Sequence, residues 1–315
     1  MKKFFIRIFI FYILLLGSIP AVILLFPLPE NSYTLAIIDK NHILADTGSP
    51  KIVLVGGSNL GFGVDSAAIQ SAFHLPVVNM GLHAGFGLGR ILDDVSPFLR
   101  TGDILIIVAE YSHFTSNWNG VKETYELIFD ARQFRLLWSP YYGPSKEFPA
   151  YLKSFQGRFL IKRSAPRDHP PVYSRDGFNE YGDFVKHLKN KNLPFTPDAP
   201  KENSEVPNRL YLDHFFQFVD DFSSRGITVL LSYPSYEEQS FRNNAELIQE
   251  LDQAFRGKIN LRVISKPESY CFPTGLFYDT AYHLNAEGRV IRTERLIQDL
   301  EASGTLPRQG GADPL

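Results

Sequence analysis

From residue 51 to residue 302 the chain alternates short apolar runs, rich in Val and Ile, with segments whose apolar residues recur every three or four positions. KIVLVG (51–56), PVVNM (76–80), DILIIVA (103–109), GITVLLSYP (226–234) and INLRVIS (259–265) predict five buried strands. Between them lie amphipathic patterns that predict helices. DSAAIQSAF (65–73) starts at a capping residue, Asp65 or Ser66. Leu88, Ile91, Leu92, Val95 and Leu99 mark one face of a second helix, and Leu212, Phe215, Phe216, Val219 and Phe222 one face of a third. Ala245 to Phe255 and residues 286–302 supply two more. Apolar strands separated by helices call for an α/β fold: a five-stranded parallel sheet with helices on both faces, hence three layers. Ligands of such sheets bind beyond the carboxyl ends of the strands, where the strand order switches.

The regular pattern lapses between 112 and 206, where WNG, SPYYGPS, APRDHPP and PDAPKENSEVP break it. A structureless loop of that length is implausible, so an insertion with its own short elements is expected, roofing the sheet edge. The tail 303–315 has the composition of a disordered segment. At the other end, residues 8–26 (IFIFYILLLGSIPAVILLF) carry no charge. As a helix they would be about 28 Å long, enough to cross a bilayer core. Lys2, Lys3 and Arg7 precede them, which keeps residues 1–7 in the cytoplasm and sends the rest out. A cleaved signal peptide is the rival reading, but the apolar run is longer than a usual one and FPLPENS offers no small-residue cleavage site. An uncleaved single-pass anchor is therefore expected, followed by a connector over 27–50 and a main domain over 51–302 outside the cytoplasmic membrane.

Composition narrows the partners. With a net charge of −2 the 315-residue chain has no electrostatic footprint for nucleic acid. Its single cysteine, Cys271, excludes an intrachain disulfide and argues against a cysteine-based zinc site. No His/Asp/Glu spacing suggests a metal, and no cofactor is implied. The 26 Phe and 15 Tyr could stack on sugars, but most are expected to fill the core.

The candidate chemistry sits just after the strands. VLVGGSNLGFG (53–63) ends a strand in residues of high backbone freedom and leaves Ser58 at its carboxyl edge. That is where a nucleophile on a tight strand-to-helix turn would stand, although an ordinary Gly/Ser loop reads the same way. After the second strand comes NMGLHAGFGLG (79–89), whose free amides could face an oxyanion. A phosphate loop is excluded there, because no Lys-Ser/Thr pair follows and the glycine spacing fits neither nucleotide fingerprint. Asn79 reads equally as a turn brace or as a catalytic contact. Glu110 and Tyr111 end the third strand, where they could point into a site or simply bond the loop, and His113 is a weaker candidate. FYDTAYHLNAEG (277–288) places Asp279 four residues before His283, a spacing at which a carboxylate can fix the tautomer of a histidine base.

GGSN around Ser58, NMG around Gly81 and DTAYHLN around His283 resemble blocks I, II and V of the SGNH (GDSL-like) hydrolase superfamily, in the same order. GGSNLGFGVDS, NMGLHAGFGLG, GDILIIVAEY and YDTAYHLNAEGRVIRT are similar to a membrane-anchored bacterial branch of it. The resemblance implies a flavodoxin-like α/β/α fold, with Ser58 as nucleophile, His283 as base and Asp279 as its orienter. The oxyanion hole would be formed by the amides of Ser58 and Gly81, with Asn59 as a substitute donor. Asn79, Glu110 and Tyr111 would be site neighbours. The chain departs from the superfamily in three places: Gly57 stands where Asp usually precedes the serine, the Asp-to-His spacing is one residue longer, and Glu110 and Tyr111 stand where the block III asparagine belongs. The activity implied is a serine esterase or O-acyltransferase acting on an acyl ester, acetyl above all, of a cell-envelope glycan or of an acyl-carrying small molecule. A membrane-bound O-acyltransferase partner is implied by relatives in alginate acetylation and teichoic-acid D-alanylation. A non-catalytic module that binds glycan or such a partner is the alternative.

Overall fold

The computed structural model describes residues 2–138, 147–163, 172–200 and 207–306. The sheet forms where the apolar runs are densest: β1 (Ile52–Gly56), β2 (Val77–Asn79), β3 (Ile104–Val108), β4 (Thr228–Leu231) and β5 (Arg262–Val263). All pairings are parallel and the order is β2-β1-β3-β4-β5. The order reverses between β1 and β3, which makes the carboxyl ends of those two strands the binding edge of such a sheet. The central strands are buried throughout, because neither face meets water.

Each face has its own core. Val53, Val55, Leu105 and Ile107 pack with α5 (Leu88–Val95), α7 (Arg209–Ser224) and α8 (Ala245–Arg256) through Leu92, Phe215, Phe222 and Leu251. Ile52, Leu54, Ile106 and Val108 face α4 (Ser66–Phe73) and α9 (Ala286–Ala302) through Ile69, Phe73, Leu296 and Leu300. Each such side chain contributes about 1.5–3 kcal/mol when fully buried. Asp65 caps α4 by accepting from the Ala68 amide, and Asn285 caps α9 through the Gly288 amide. Tyr236–Glu237 and Cys271–Phe272 add a separate two-stranded sheet.

Three segments differ from the sequence reading. Residues 36–46, expected within a connector, form α2 (Ala36–Asp46), whose Ala36, Ile37 and Leu44 enter the main core. Inside it, the Lys40 ammonium donates to the carbonyls of Asn79 (2.8 Å) and Gly182 (2.5 Å). Burial drives its pKa down to about 7, partly offset by Asp183. Second, the insertion, expected to hold short elements of its own, includes a 16-residue helix, α6 (Phe148–Arg163). Its residues 172–188 run under the carboxyl edge of β1 and β2. The breakers at 139–146, 164–171 and 201–206 lie outside the described residues, as does most of the tail, 307–315.

Third, residues 2–25 form one 24-residue helix, α1 (Lys2–Leu25), whose side chains from Phe4 to Leu15 are exposed. Among the described residues no helix is long and apolar enough to cross a membrane. The side chains of Leu16, Ile19 and Pro20, which fall inside the expected span 8–26, are not among those described.

What ties insertion, sheet and last helix together is the fully buried Asp183. Its carboxylate accepts from the Ser66 amide (2.8 Å) and hydroxyl (2.6 Å), Asn79 Nδ2 (2.8 Å) and Arg289 Nη2 (3.0 Å). Four donors satisfy it, so its charge is compensated in place. Asp183→Ala leaves the Arg289 guanidinium buried without this partner and is expected to cost about 3–5 kcal/mol. The thermal midpoint measures this; a change within a degree of the parent would refute the role.

Candidate active site

Three side chains from opposite ends of the chain meet at the switch point. β1 runs into Gly57, and α3 (Ser58–Gly63) begins at once, so Ser58 stands at the first position of a helix on the sheet edge. The loop before α9 closes through a bridge between Phe277 and Leu284 and a Tyr278 amide bond to the His283 carbonyl (2.7 Å), which aims His283 at α3. His283 Nε2 lies 2.8 Å from Ser58 Oγ, and Nδ1 lies 2.8 Å from Asp279 Oδ1. Phe62 of α3 stacks flat on the imidazole, with centroids 4.0 Å apart and planes 7° apart. The ring is thereby fixed in plane as well as in position.

The insertion adds a residue that sequence reasoning missed. The Tyr173 hydroxyl donates to Asp279 Oδ2 at 2.5 Å and lies 3.0 Å from His283 Nδ1. Burial pushes the Asp279 pKa up, but His283 and the Tyr173 hydroxyl outweigh it and hold the carboxyl below its usual range. Tyr173 follows a broken, proline-rich stretch with no periodicity, so nothing local marked it. In three dimensions it joins Tyr33, Phe62, Phe178 and Phe184 in a cluster of rings beside the imidazole.

The other candidates divide. Asn79 is a brace: Nδ2 donates to the Leu60 carbonyl (3.0 Å) and to Asp183, while Oδ1 accepts the Gly81 amide at 2.8 Å. That bond corrects the expectation for Gly81, whose N–H is engaged by Asn79 and is not a free donor. Several amides at this edge have no acceptor among the described residues, among them that of Ser58 and that of Ala84, which opens a 3-10 turn over Ala84–Phe86. Tyr111 turns into the core against Tyr236. Asn59 points its amide and Nδ2 at Glu110 Oε1, both at 3.4 Å, and Nδ2 also donates to the Val108 carbonyl. Glu110 does enter the site, with Oε1 at 3.4 Å from Ser58 Oγ. Burial raises its pKa, offset in part by His283, Asn59 and Ser58.

His113 is fully buried behind this group and does not touch Ser58. Nδ1 accepts the Glu110 amide (3.1 Å) and Nε2 lies 3.2 Å from the Ala84 carbonyl, to which it donates as the neutral ring. Among the described residues no group of three or more His, Cys, Asp or Glu could hold a metal ion. Compared with models of protein families and with curated proteins, the chain matches none.

A serine hydroxyl, an imidazole and a carboxylate in this line can move a proton from Oγ to Nε2 while the carboxylate stabilises the charged ring. The arrangement requires the neutral His283 to carry its proton on Nδ1. The ¹⁵N shifts of the ring are expected to show that tautomer, and Asp279→Asn to lower its population severalfold; an Nε2–H ring in the parent protein would contradict the geometry. A second expectation concerns acid. Burial lowers His113 to about 4 and His187 to about 4, so between the ordinary value near 6.5 and 4 only the unfolded chain takes up their protons. Stability present at pH 7 is therefore lost as pH falls from about 6.5 to 4, by at most about 3 kcal/mol for each ring. Thermal midpoints across that range measure it, and His187→Phe should flatten the slope; an unchanged slope would assign the loss elsewhere.

Proposed function

We propose that the protein is a serine esterase or O-acyltransferase of the SGNH type. One observation carries the reading: the unbroken hydrogen-bonded line Tyr173–Asp279–His283–Ser58 at the switch point of a parallel sheet. In the proposed cycle Ser58 Oγ attacks the acyl carbonyl as its proton passes to His283 Nε2. Collapse expels the alcohol, which takes that proton, and leaves an acyl-serine. Water or a sugar hydroxyl then attacks the acyl group by the same route in reverse. The free amides of Ser58 and Ala84 are the proposed backbone donors to the oxyanion.

The setting is part of the proposal. Helix α1 exposes Phe4, Phe5, Phe9, Phe11, Leu14 and Leu15, apolar surface that water does not favour, behind the basic residues Lys2, Lys3 and Arg7. Membrane attachment with the catalytic domain on the extracytoplasmic side accounts for it. A cell-envelope glycan bearing acetyl or another acyl ester is the proposed substrate, with a membrane-bound O-acyltransferase as the proposed partner. This last step rests on the motif resemblance.

One observation favours the alternative of a non-catalytic binding module: a carboxyl group, Glu110, stands beside the nucleophile where negative charge would develop. The two readings part experimentally. Ser58→Ala is expected to lower hydrolysis of p-nitrophenyl acetate or of an acetylated polysaccharide by at least about 10³-fold, with the thermal midpoint unchanged. Full activity in folded Ser58→Ala would end the proposal.

A further inference from the structure

Glu110 is the one candidate whose chemistry at the site depends on where a single proton sits. It stands two residues beyond β3, and its carboxyl is buried against Ser58 Oγ and against both nitrogens of Asn59. The space it occupies is made by Gly57: a Cβ on that residue would collide with Oε1 and stand 3.0 Å from Cδ. Any larger residue before the serine would displace the carboxyl, so the glycine and the glutamate form one device. The base of the side chain is clamped as well, since the Glu110 amide is held by neutral His113, which in turn is tied to the Ala84 carbonyl.

No lysine or arginine pairs with this carboxyl among the described residues. The titratable groups facing it are His283 across Ser58, His113 behind it, and the hydroxyls of Tyr33 and Tyr282. Asp279 lies on the far side of the imidazole and adds negative charge. An ionised Glu110 would therefore oppose the oxyanion that forms when Ser58 attacks. A neutral one would supply an O–H donor beside it, and the burial already described favours the neutral form.

We propose that Glu110 acts as a carboxylic acid, donating its O–H to the acyl oxyanion and so completing the hole that the Ser58 and Ala84 amides begin. The inference rests on the serine-nucleophile reading above. As the Oγ–C bond forms, the carbonyl electron pair moves onto oxygen and the Ser58 proton goes to His283. Glu110 keeps its own proton throughout. On collapse the C=O re-forms, the hydrogen bond weakens, and the leaving alcohol takes the proton from His283. The rate is then expected to fall at higher pH as Glu110 loses its proton.

The test uses the full chain in detergent micelles and an alkyl fluorophosphonate, whose phosphoryl oxygen takes the oxyanion's place while Ser58 Oγ bonds to phosphorus and fluoride leaves. Labelling rates are measured from pH 5 to 9. Glu110→Gln keeps a donor that does not titrate, so the alkaline fall should vanish and the peak rate should stay within about tenfold of the parent. Glu110→Ala should label about 10²–10³-fold more slowly than the parent at the parent's peak pH, and without the alkaline fall. The proposal is overturned if Glu110→Gln retains the alkaline fall or labels as slowly as Glu110→Ala. It is equally overturned if Glu110→Ala labels at the parent rate. Where the alanine variant fails to fold, the glutamine profile decides. A folded parent that does not label at all refutes the nucleophile reading instead, an outcome separate from the others.

Discussion

The contact between Ser58 Oγ and His283 Nε2 joins residues 225 positions apart, and the rest of the architecture is what makes it 2.8 Å long. A hydrogen bond of that kind adds only about 1 kcal/mol to stability, far too little to organise the chain by itself. It is held from both sides. On one side β1 delivers Ser58 to the sheet edge at the start of α3; on the other, the Phe277–Leu284 bridge and α9 hold His283 in place. Arg289, one turn into α9, donates Nε to the Val64 carbonyl at 2.6 Å and so fixes α9 to the chain just after α3. Through Asp183 the same guanidinium reaches the insertion, β2 and α4.

Around that contact the protein keeps polar groups neutral. His113 and His187 are held uncharged by burial, each donating through Nε2 to a carbonyl, of Ala84 and Leu284 respectively. Burial favours the neutral form of Glu110 as well, and of the Tyr33 and Tyr282 hydroxyls near it. Asp279 is the exception, kept ionised by His283 and Tyr173. Partly buried behind the imidazole, this negative charge is screened less than in bulk water, which is the arrangement a general base needs when its ring becomes cationic. A second negative charge in front of the ring would work against it. That conflict is why the proposed role of Glu110 turns on its protonation.

The insertion changes how the domain is read. Its residues 172–188 supply Tyr173 to the Asp279–His283 pair and His187 to the face of Phe62, and with Lys40 of α2 they brace Asn79, so segments outside the sheet hold the site together as much as the sheet does. The cluster of Tyr33, Phe62, Tyr173, Phe178 and Phe184 gives the abundant aromatics a role in packing the imidazole.

By itself the sequence determined the five strands, most of the helices, and the placing of Ser58, Glu110 and the Asp279–His283 pair just beyond strand ends. These are properties of local periodicity and of glycine-rich turns, and each is written within a window of a dozen residues or so. Only the tertiary structure decided which polar atoms are free. Gly81 looked like an oxyanion donor until the Asn79 side chain was found on its amide, and Asn79 itself proved to be a brace because Asp183 and the Leu60 carbonyl lie within its reach. Tyr173 had no local signature, since a hydroxyl acquires meaning only from what folds against it. Hydrogen-bond saturation is a matter of three-dimensional neighbours, and a sequence pattern states which groups exist without stating which are already engaged.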